Sequence, residues 1–384
     1  MSISNLREFH PVANIFPLMQ GDEYEQLKAD IKANGLLEPI WLDSEGKIID
    51  GRNRYRACVD SGVEPQYKTW QGNDLLSFII SMNLHRRHLS ESQRAVVASK
   101  LANMPAHRID NKSANLRTSV SQSQAAEMLN VSERIVSTIK AIEKAAPELI
   151  EKIESGEITA HKATKEVKRR DTESRRNEVA IAGEALQPTE RWCVEVANIN
   201  TYTTDKRFDF IITDPPYTKE YLPLYEVLAK RAKEWLKPTG LIIVMCGQSY
   251  LDQIYAILSK HLVYYWTSCY LTPKQPTPMR QRQVNTTWKP LLIYSPTADY
   301  TGKIFGDVFT SPNPEKDNHD WGQSVEGMLD IISQICLSGQ SILDPFCGAG
   351  ATGVAALRHG CLFHGIDIDE QSVNISKSRL AEVG

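Results

Sequence analysis

From Arg191 to the end of the chain, apolar runs of strand length alternate with stretches of helical periodicity, and this alternation limits the possible folds more than any other feature. Strands are expected at Trp192–Val196, Phe208–Thr213, Leu241–Cys246, Val263–Tyr270, Leu291–Tyr294, Ile342–Asp344 and Cys361–Ile366. Helices are expected at Tyr221–Leu236, Tyr250–Lys260, Val325–Cys336, Thr352–His359 and Glu370–Ala381. Strands joined through helices pair in parallel, so the expectation is an α/β unit with an open, mostly parallel sheet, doubly wound by helices on both faces.

The residues before Arg191 obey different patterns. Residues 1–75 mix strand-like runs (Pro39–Leu42, Lys47–Ile49) with a helical stretch, Glu23–Asn34, that closes on Gly35, and read as a small α+β module. Residues 76–170 read as helical throughout. Within them Ser121–Leu129, a tight turn at Asn130–Ser132 and Glu133–Ile142 have helix-turn-helix spacing, with Ala125, Ala126, Leu129, Val131, Val136 and Ile139 as the inner face. The polar run 171–190 reads as a linker, which leaves 191–384 as the last domain. A chain of 384 residues is long enough for such a division.

Net charge names no partner, since 44 Lys and Arg stand against 47 Asp and Glu. The local distribution does. Between Gln253 and Ala298 there is no acidic residue, whereas Lys260, Lys274, Arg280, Arg282 and Lys289 are present, and such a local field suits a polyanion. Seven scattered cysteines without a CxxC pair argue against a disulfide framework or a zinc knuckle. No apolar run approaches the ~20 residues of a membrane span, so a cytoplasmic, nucleoid-associated protein is expected.

Two motifs carry chemistry. Asp344-Pro345-Phe346-Cys347-Gly348-Ala349-Gly350 follows a strand and opens a helix, and the next strand ends near Asp367, 23 residues after Asp344. Glycines there permit a sharp turn and close approach to a ligand, and an acid at the second strand tip is placed to accept from ribose hydroxyls. Asp214-Pro215-Pro216-Tyr217 directly follows another strand. Its prolines fix a rigid turn at the carboxyl edge, presenting a carboxylate and a carbonyl as acceptors beside an aromatic ring, an arrangement suited to the exocyclic amine of a base.

The pair of motifs resembles the amino-group DNA methyltransferases that use S-adenosylmethionine, and the motif order resembles their permuted beta group. The resemblance implies a Rossmann-like methyltransferase sheet over 191–384. It implies that Asp214, Pro215, Pro216 and Tyr217 hold and orient a flipped base, that Asp344, Phe346, Gly348 and Gly350 line the cofactor, and that Asp367 binds its ribose. His319 and Gln323 stand in the segment leading to the helix that covers the cofactor, with Gln323 where a lysine is common in the family. The hydroxyl residues usual after each glycine are Ala349 and Ala351 here. Lys274, Arg280 and Arg282, in the polar stretch Thr272–Trp288, are candidate phosphate contacts, and Asn285 or Trp288 candidate base contacts.

Ile48-Ile49-Asp50-Gly51-Arg52-Asn53-Arg54-Tyr55-Arg56-Ala57 resembles the box of the ParB-like N-terminal domain, which implies that Arg54 and Arg56 meet phosphates. The expected whole is a site-specific methyltransferase acting on adenine N6 of double-stranded DNA, possible as a homodimer, without a metal. Asp before Pro-Pro-Tyr favours adenine N6 over cytosine N4. The rival readings are a cytosine-N4 enzyme and a non-enzymatic ParB-like regulator that only binds S-adenosylmethionine.

Overall fold

The computed structural model describes residues 7–86, 89–104, 107–108, 117–118, 120–273, 276–280, 282–311 and 323–384. The chain divides into two compact units, Met1–Asp171 and Thr172–Gly384.

The first unit opens with α1 (Pro11–Asn14) and α2 (Gly21–Asn34); α2 stops at Gly35, whose φ of 75° is accessible to glycine. β1 (Ile40–Leu42) pairs antiparallel with β2 (Ile48–Asp50) and parallel with β3 (Tyr67–Thr69), a strand not apparent in the sequence because all three residues are exposed. Gly51, left-handed at φ 92°, turns the chain into α3 (Arg52–Ser61). The helices α4 (Leu75–Arg86) and α5 (Glu91–Asn103) follow, the latter begun by a Ser90–Gln93 capping box. A two-residue pair, β4 (His107–Arg108) and β5 (Arg117–Thr118), precedes α6 (Gln122–Met128) and α7 (Glu133–Ala145). Asn130, at φ 50°, makes the turn between these two helices, and Ala125, Ala126, Leu129, Val136 and Ile139 are buried as expected. The helix α8 (Glu148–Glu154) follows, and the start of the next helix, where Ala160 and Ala163 pack with Leu149, Ile150 and Ile153, completes this unit.

Residues 171–184, expected as part of a linker, are helical instead: α9 runs from Ala160 to Glu184. Their many Glu, Arg and Ala residues are good helix formers. In the second unit Val179 and Ala180 pack against Ala349 and Ile375. Gly183 permits a close approach, since a Cβ there would lie 1.8 Å from the carbonyl oxygen of Asn374.

The second unit holds an eight-stranded sheet. Its strands are β6 (Trp192–Val196), β7 (Phe208–Thr213), β8 (Leu236–Met245), β9 (Val263–Leu271), β12 (Trp288–Ser295), β13 (Val308–Thr310), β14 (Ser341–Asp344) and β15 (Leu362–Asp367), in the order β13-β9-β12-β8-β7-β14-β15-β6. Five neighbours, from β8 to β6, are parallel; β12 runs antiparallel between β8 and β9. The stretch Thr272–Trp288, expected as a loop, contains a small hairpin of β10 (Thr277–Met279) and β11 (Val284–Thr286). Its turn uses Gln283 at φ 55°.

Helices cover both faces, so the unit is a doubly wound, Rossmann-like α/β sheet. On one face lie α12 (Val325–Ile335), α13 (Ala351–Arg358) and α14 (Glu370–Ala381), with Met328, Ile331, Ile332 and Val354 packed on Phe210, Leu241, Ile243 and Ile342. On the other lie α10 (Leu222–Trp235) and α11 (Leu251–Leu258), where Tyr225, Leu228 and Trp235 pack on Ile211, Ile242 and Leu343. No described helix is long and apolar enough to cross a membrane.

Trp235 is the largest fully buried side chain of the described residues. Trp235→Ala is expected to cost about 3–5 kcal/mol. Urea unfolding followed by circular dichroism checks this, and a loss below 1 kcal/mol would contradict the packing.

Candidate active site at the carboxyl edge of the sheet

The two sequence motifs meet. β7 and β14 are adjacent and parallel, with Ile211 beside Leu343, so their carboxyl ends emerge side by side. Thr213 Oγ1 donates to Asp344 Oδ1 at 2.7 Å, which ties the residue before Asp214 to the first residue of the glycine motif. Asp344 is 2% exposed and accepts two further hydrogen bonds, from Thr352 Oγ1 at 2.7 Å and from the Phe346 amide at 3.1 Å. Burial nonetheless pushes its carboxyl up to about 7, against these three donors, with the neighbouring Asp214 adding to the rise.

Asp214 leaves the tip of β7 with both oxygens engaged. Tyr217 donates its hydroxyl to Oδ1 and Gln323 its amide to Oδ2. Lys289 approaches from β12, its Nζ 4.0 Å from Asp214 Oδ2, 3.2 Å from the Tyr217 hydroxyl to which it donates, and 5.2 Å from the Tyr217 ring centroid. Burial raises the Asp214 carboxyl and the Lys289 charge opposes that rise. Behind Tyr217 the chain needs glycine: a Cβ on Gly247 would sit 3.2 Å from the tyrosine Cβ. Tyr225, from α10, donates to the Pro216 carbonyl at 3.3 Å and steadies the proline turn.

The antiparallel course of β12 explains why Lys289 is here. A strand antiparallel to β8 begins where β8 ends, so the second residue of β12 lies at the carboxyl edge; Cys246, just past β8, donates to Pro290 at 3.1 Å. In the sequence Lys289 stands out only as one of the basic residues of an acid-free stretch. A lone lysine opening an otherwise apolar strand was the available signal. Thr213 and Thr352 were also missed; Thr352, the second residue of α13, supplies a hydroxyl where Ala349 and Ala351 lack one.

The glycine turn sits across from this group. Gly350, at φ 80°, caps α13, and a Cβ there would lie 2.3 Å from Ser376 Oγ. Gly348, at φ 47°, donates its amide to Asp367 Oδ2 at 2.8 Å, joining the turn to the tip of β15, and faces open space where a Cβ would meet nothing within 4 Å. Phe346 is half-buried against the α10–α11 face of the core. Ile368, directly after Asp367, is an apolar side chain 72% exposed.

Other expected residues fall in different places. Gln323 was expected to help hold the cofactor and instead contacts Asp214, at the Asp-Pro-Pro-Tyr turn. His319 and Lys274 lie outside the described residues. Arg280, Arg282 and Asn285 are exposed on the β10–β11 hairpin, and Trp288 at its base is 37% exposed. Gln248, next to Gly247, donates to Thr286 and to the Trp288 carbonyl, each at 3.2 Å, which fixes the base of the hairpin beside the carboxyl edge. In the first unit the guanidinium groups of the expected phosphate contacts have internal partners. Arg54 pairs with Glu38 and, at 2.8 Å, with Asp50; Arg56 donates to the Met19 carbonyl at 3.3 Å and covers the Tyr24 ring.

Residues 201–378 match the model of the DNA methylase family N6_N4_Mtase. The Escherichia coli (strain K12) protein YubD is 26% identical over 198 residues, 46% of this chain and 82% of its own length. The type II methyltransferase M2.DpnII of Streptococcus pneumoniae is 39% identical over 84 residues, 21% of this chain and only 31% of its own. Among solved structures, the M1.HpyAVI–SAM complex is 23% identical, with a TM-score of 0.43, covering 49% of this chain and 98% of that one. Within the second unit, residues 201–378, a little under half of the chain, are thus similar to DNA methylases of the N6_N4_Mtase family.

Proposed function

We propose that the protein methylates the exocyclic N6 amine of adenine in double-stranded DNA, with Asp214 as the acceptor that holds the amine. The observation that carries this reading is the Thr213–Asp344 hydrogen bond, because it makes the base-holding turn and the glycine turn walls of one crevice. The residues fit S-adenosylmethionine: Gly348 leaves open space beside its backbone, the Asp344 and Asp367 carboxylates flank the turn, and Ile368 offers an exposed apolar face for an adenine ring. When bound, that cofactor supplies a methyl group on a sulfonium. Asp344, Phe346, Gly348, Gly350 and Asp367 are the proposed holding residues.

A base inside a duplex cannot present its amine to this crevice, so it must be extruded, at a few kcal/mol recovered by stacking and hydrogen bonding. Asp214 then accepts an amine N–H. As the nitrogen forms its new bond it becomes cationic, and a carboxylate held beside it stabilises that charge more than it stabilises the neutral amine. Tyr217 and Gln323 occupy the Asp214 oxygens beforehand and keep the carboxylate oriented; the arriving amine replaces one of them. Lys289 is a positioning residue that keeps Asp214 ionised and its tyrosine partner in place. The Asp at the head of the Asp-Pro-Pro-Tyr motif supports adenine over cytosine. The exposed Arg280 and Arg282 hairpin supports a duplex backbone as partner, and the α6–α7 pair supports a further DNA contact in the first unit.

With labelled S-adenosylmethionine and plasmid DNA, label is expected in N6-methyladenine on nucleoside analysis, and Asp214→Ala should lower it at least about 1000-fold. Label in N4-methylcytosine would overturn the choice of base. Absence of label on any DNA, with cofactor binding confirmed, would leave the binding-only regulator.

Removal of the cation beside Asp214 disfavours its charged form. Lys289→Met should therefore lower kcat about 10-fold or more and move the acidic limb of the pH–rate profile to higher pH. An unshifted limb would remove the assigned role.

Asp344 ionises near neutrality, and only its anion attracts a cationic ligand. Cofactor affinity measured by calorimetry should rise as pH increases from 6 to 8 and lose that dependence in Asp344→Asn. The same shift acts on stability with the opposite sign: a carboxyl raised in the folded state makes the protein less stable as pH climbs from about 4 to about 7.

A further inference from the structure

On the sheet face covered by α10, away from the glycine turn, three side chains of different chemistry converge. Cys193 and Glu195 alternate on β6 and so share a face, and His364 on β15 stands in register beside Cys193. His364 Nε2 lies 3.0 Å from Glu195 Oε1, and Cys193 Sγ lies 3.7 Å from the same oxygen. All three atoms are within 4.8 Å of one another, the closest such grouping among the described residues. We infer that Cys193, Glu195 and His364 form a binding site for a divalent transition cation of the zinc type, with the Tyr202 hydroxyl at its margin.

The geometry decides between this and a plain polar cluster. A tetrahedral zinc ion about 2.0–2.1 Å from nitrogen and oxygen and about 2.3 Å from sulfur needs ligand atoms roughly 3.3–3.6 Å apart. Two of the three separations, 3.0 and 3.7 Å, bracket that range, and all three ligand atoms lie within 4.8 Å of one another, so an ion enters by drawing the three side chains together. One soft thiolate, one imidazole and one carboxylate make a donor set suited to zinc rather than to magnesium or calcium. Burial keeps the His364 imidazole below its ordinary value, against the Glu195 charge, which raises it. The Cys193 thiol is raised, first by burial and then by the Glu195 charge, with Lys206 and Lys377 opposing that rise. The Tyr202 hydroxyl, 2.8 Å from His364 Nε2 and donating to Glu195 at 3.3 Å, stands where a fourth donor or an outer hydrogen-bond partner is needed. Bound there, a cation ties the edge strand β6 to β15, the strand that ends in Asp367.

The test uses the full chain. Zinc competition against a chromophoric chelator and cobalt substitution should show one equivalent bound, with a thiolate-to-cobalt charge-transfer band in the near ultraviolet. Cys193→Ser and His364→Gln should each weaken binding at least about 100-fold and abolish the band, whereas Cys269→Ser should leave both unchanged. Zinc should raise the Tm of the native protein and not that of Cys193→Ser. Binding that survives Cys193→Ser, or cobalt bound without the band, would overturn the site, as would failure to bind zinc at tens of micromolar. If His364→Gln does not fold, the half-exposed and near-isosteric Cys193→Ser decides alone.

Discussion

The meeting of the two turns depends on one buried carboxylate. Asp344 sits at the end of a central strand with almost no solvent, and it is tolerable there because Thr213, Thr352 and the Phe346 amide each direct a hydrogen at it. Those three donors come from the neighbouring strand, the following helix and the turn itself. Satisfying the carboxylate therefore brings β7, α13 and the glycine loop into one arrangement. Gly350 completes the turn in a conformation that a side chain would oppose both by its positive φ and by collision with Ser376.

Reversal of one strand gives the crevice its polarity. With β12 antiparallel to β8, its first residues reach the edge where parallel strands end, and Lys289 comes to lie beside Asp214 and Tyr217. The result is a short chain of cation, phenol and carboxylate in partial burial, where charges are screened less than at an open surface. Such a group is organised before substrate arrives, which is the condition for electrostatic stabilisation without reorganisation during reaction.

In the first unit, arginine position and arginine availability differ. Arg54 and Arg56 fall in the expected glycine–helix box, and the helix begins where the sequence places it. Their guanidinium groups already have partners within the unit, however: Asp50 and Glu38 pair with Arg54, while the Tyr24 ring and the Met19 carbonyl receive Arg56. Motif spacing carries no information about carboxylates or rings contributed from other elements.

The local signals belonged to the sequence alone. Apolar runs and period-3.6 patterns placed the strands at Phe208–Thr213 and Trp192–Val196 and the helix at Glu370–Ala381 with matching ends, since they record which residues of each element are buried. Glycine and proline marked both turns of the crevice for the same local reason. Tertiary structure alone decided which tips touch, which oxygen each donor reaches, and that Gln323 and Lys289 belong to Asp214. It also decided that residues 171–184 are helix and that Cys193 and His364, far apart in the chain, share one face. These outcomes depend on strand order and direction, which arise from pairing between distant segments, and no short stretch of residues encodes its partner.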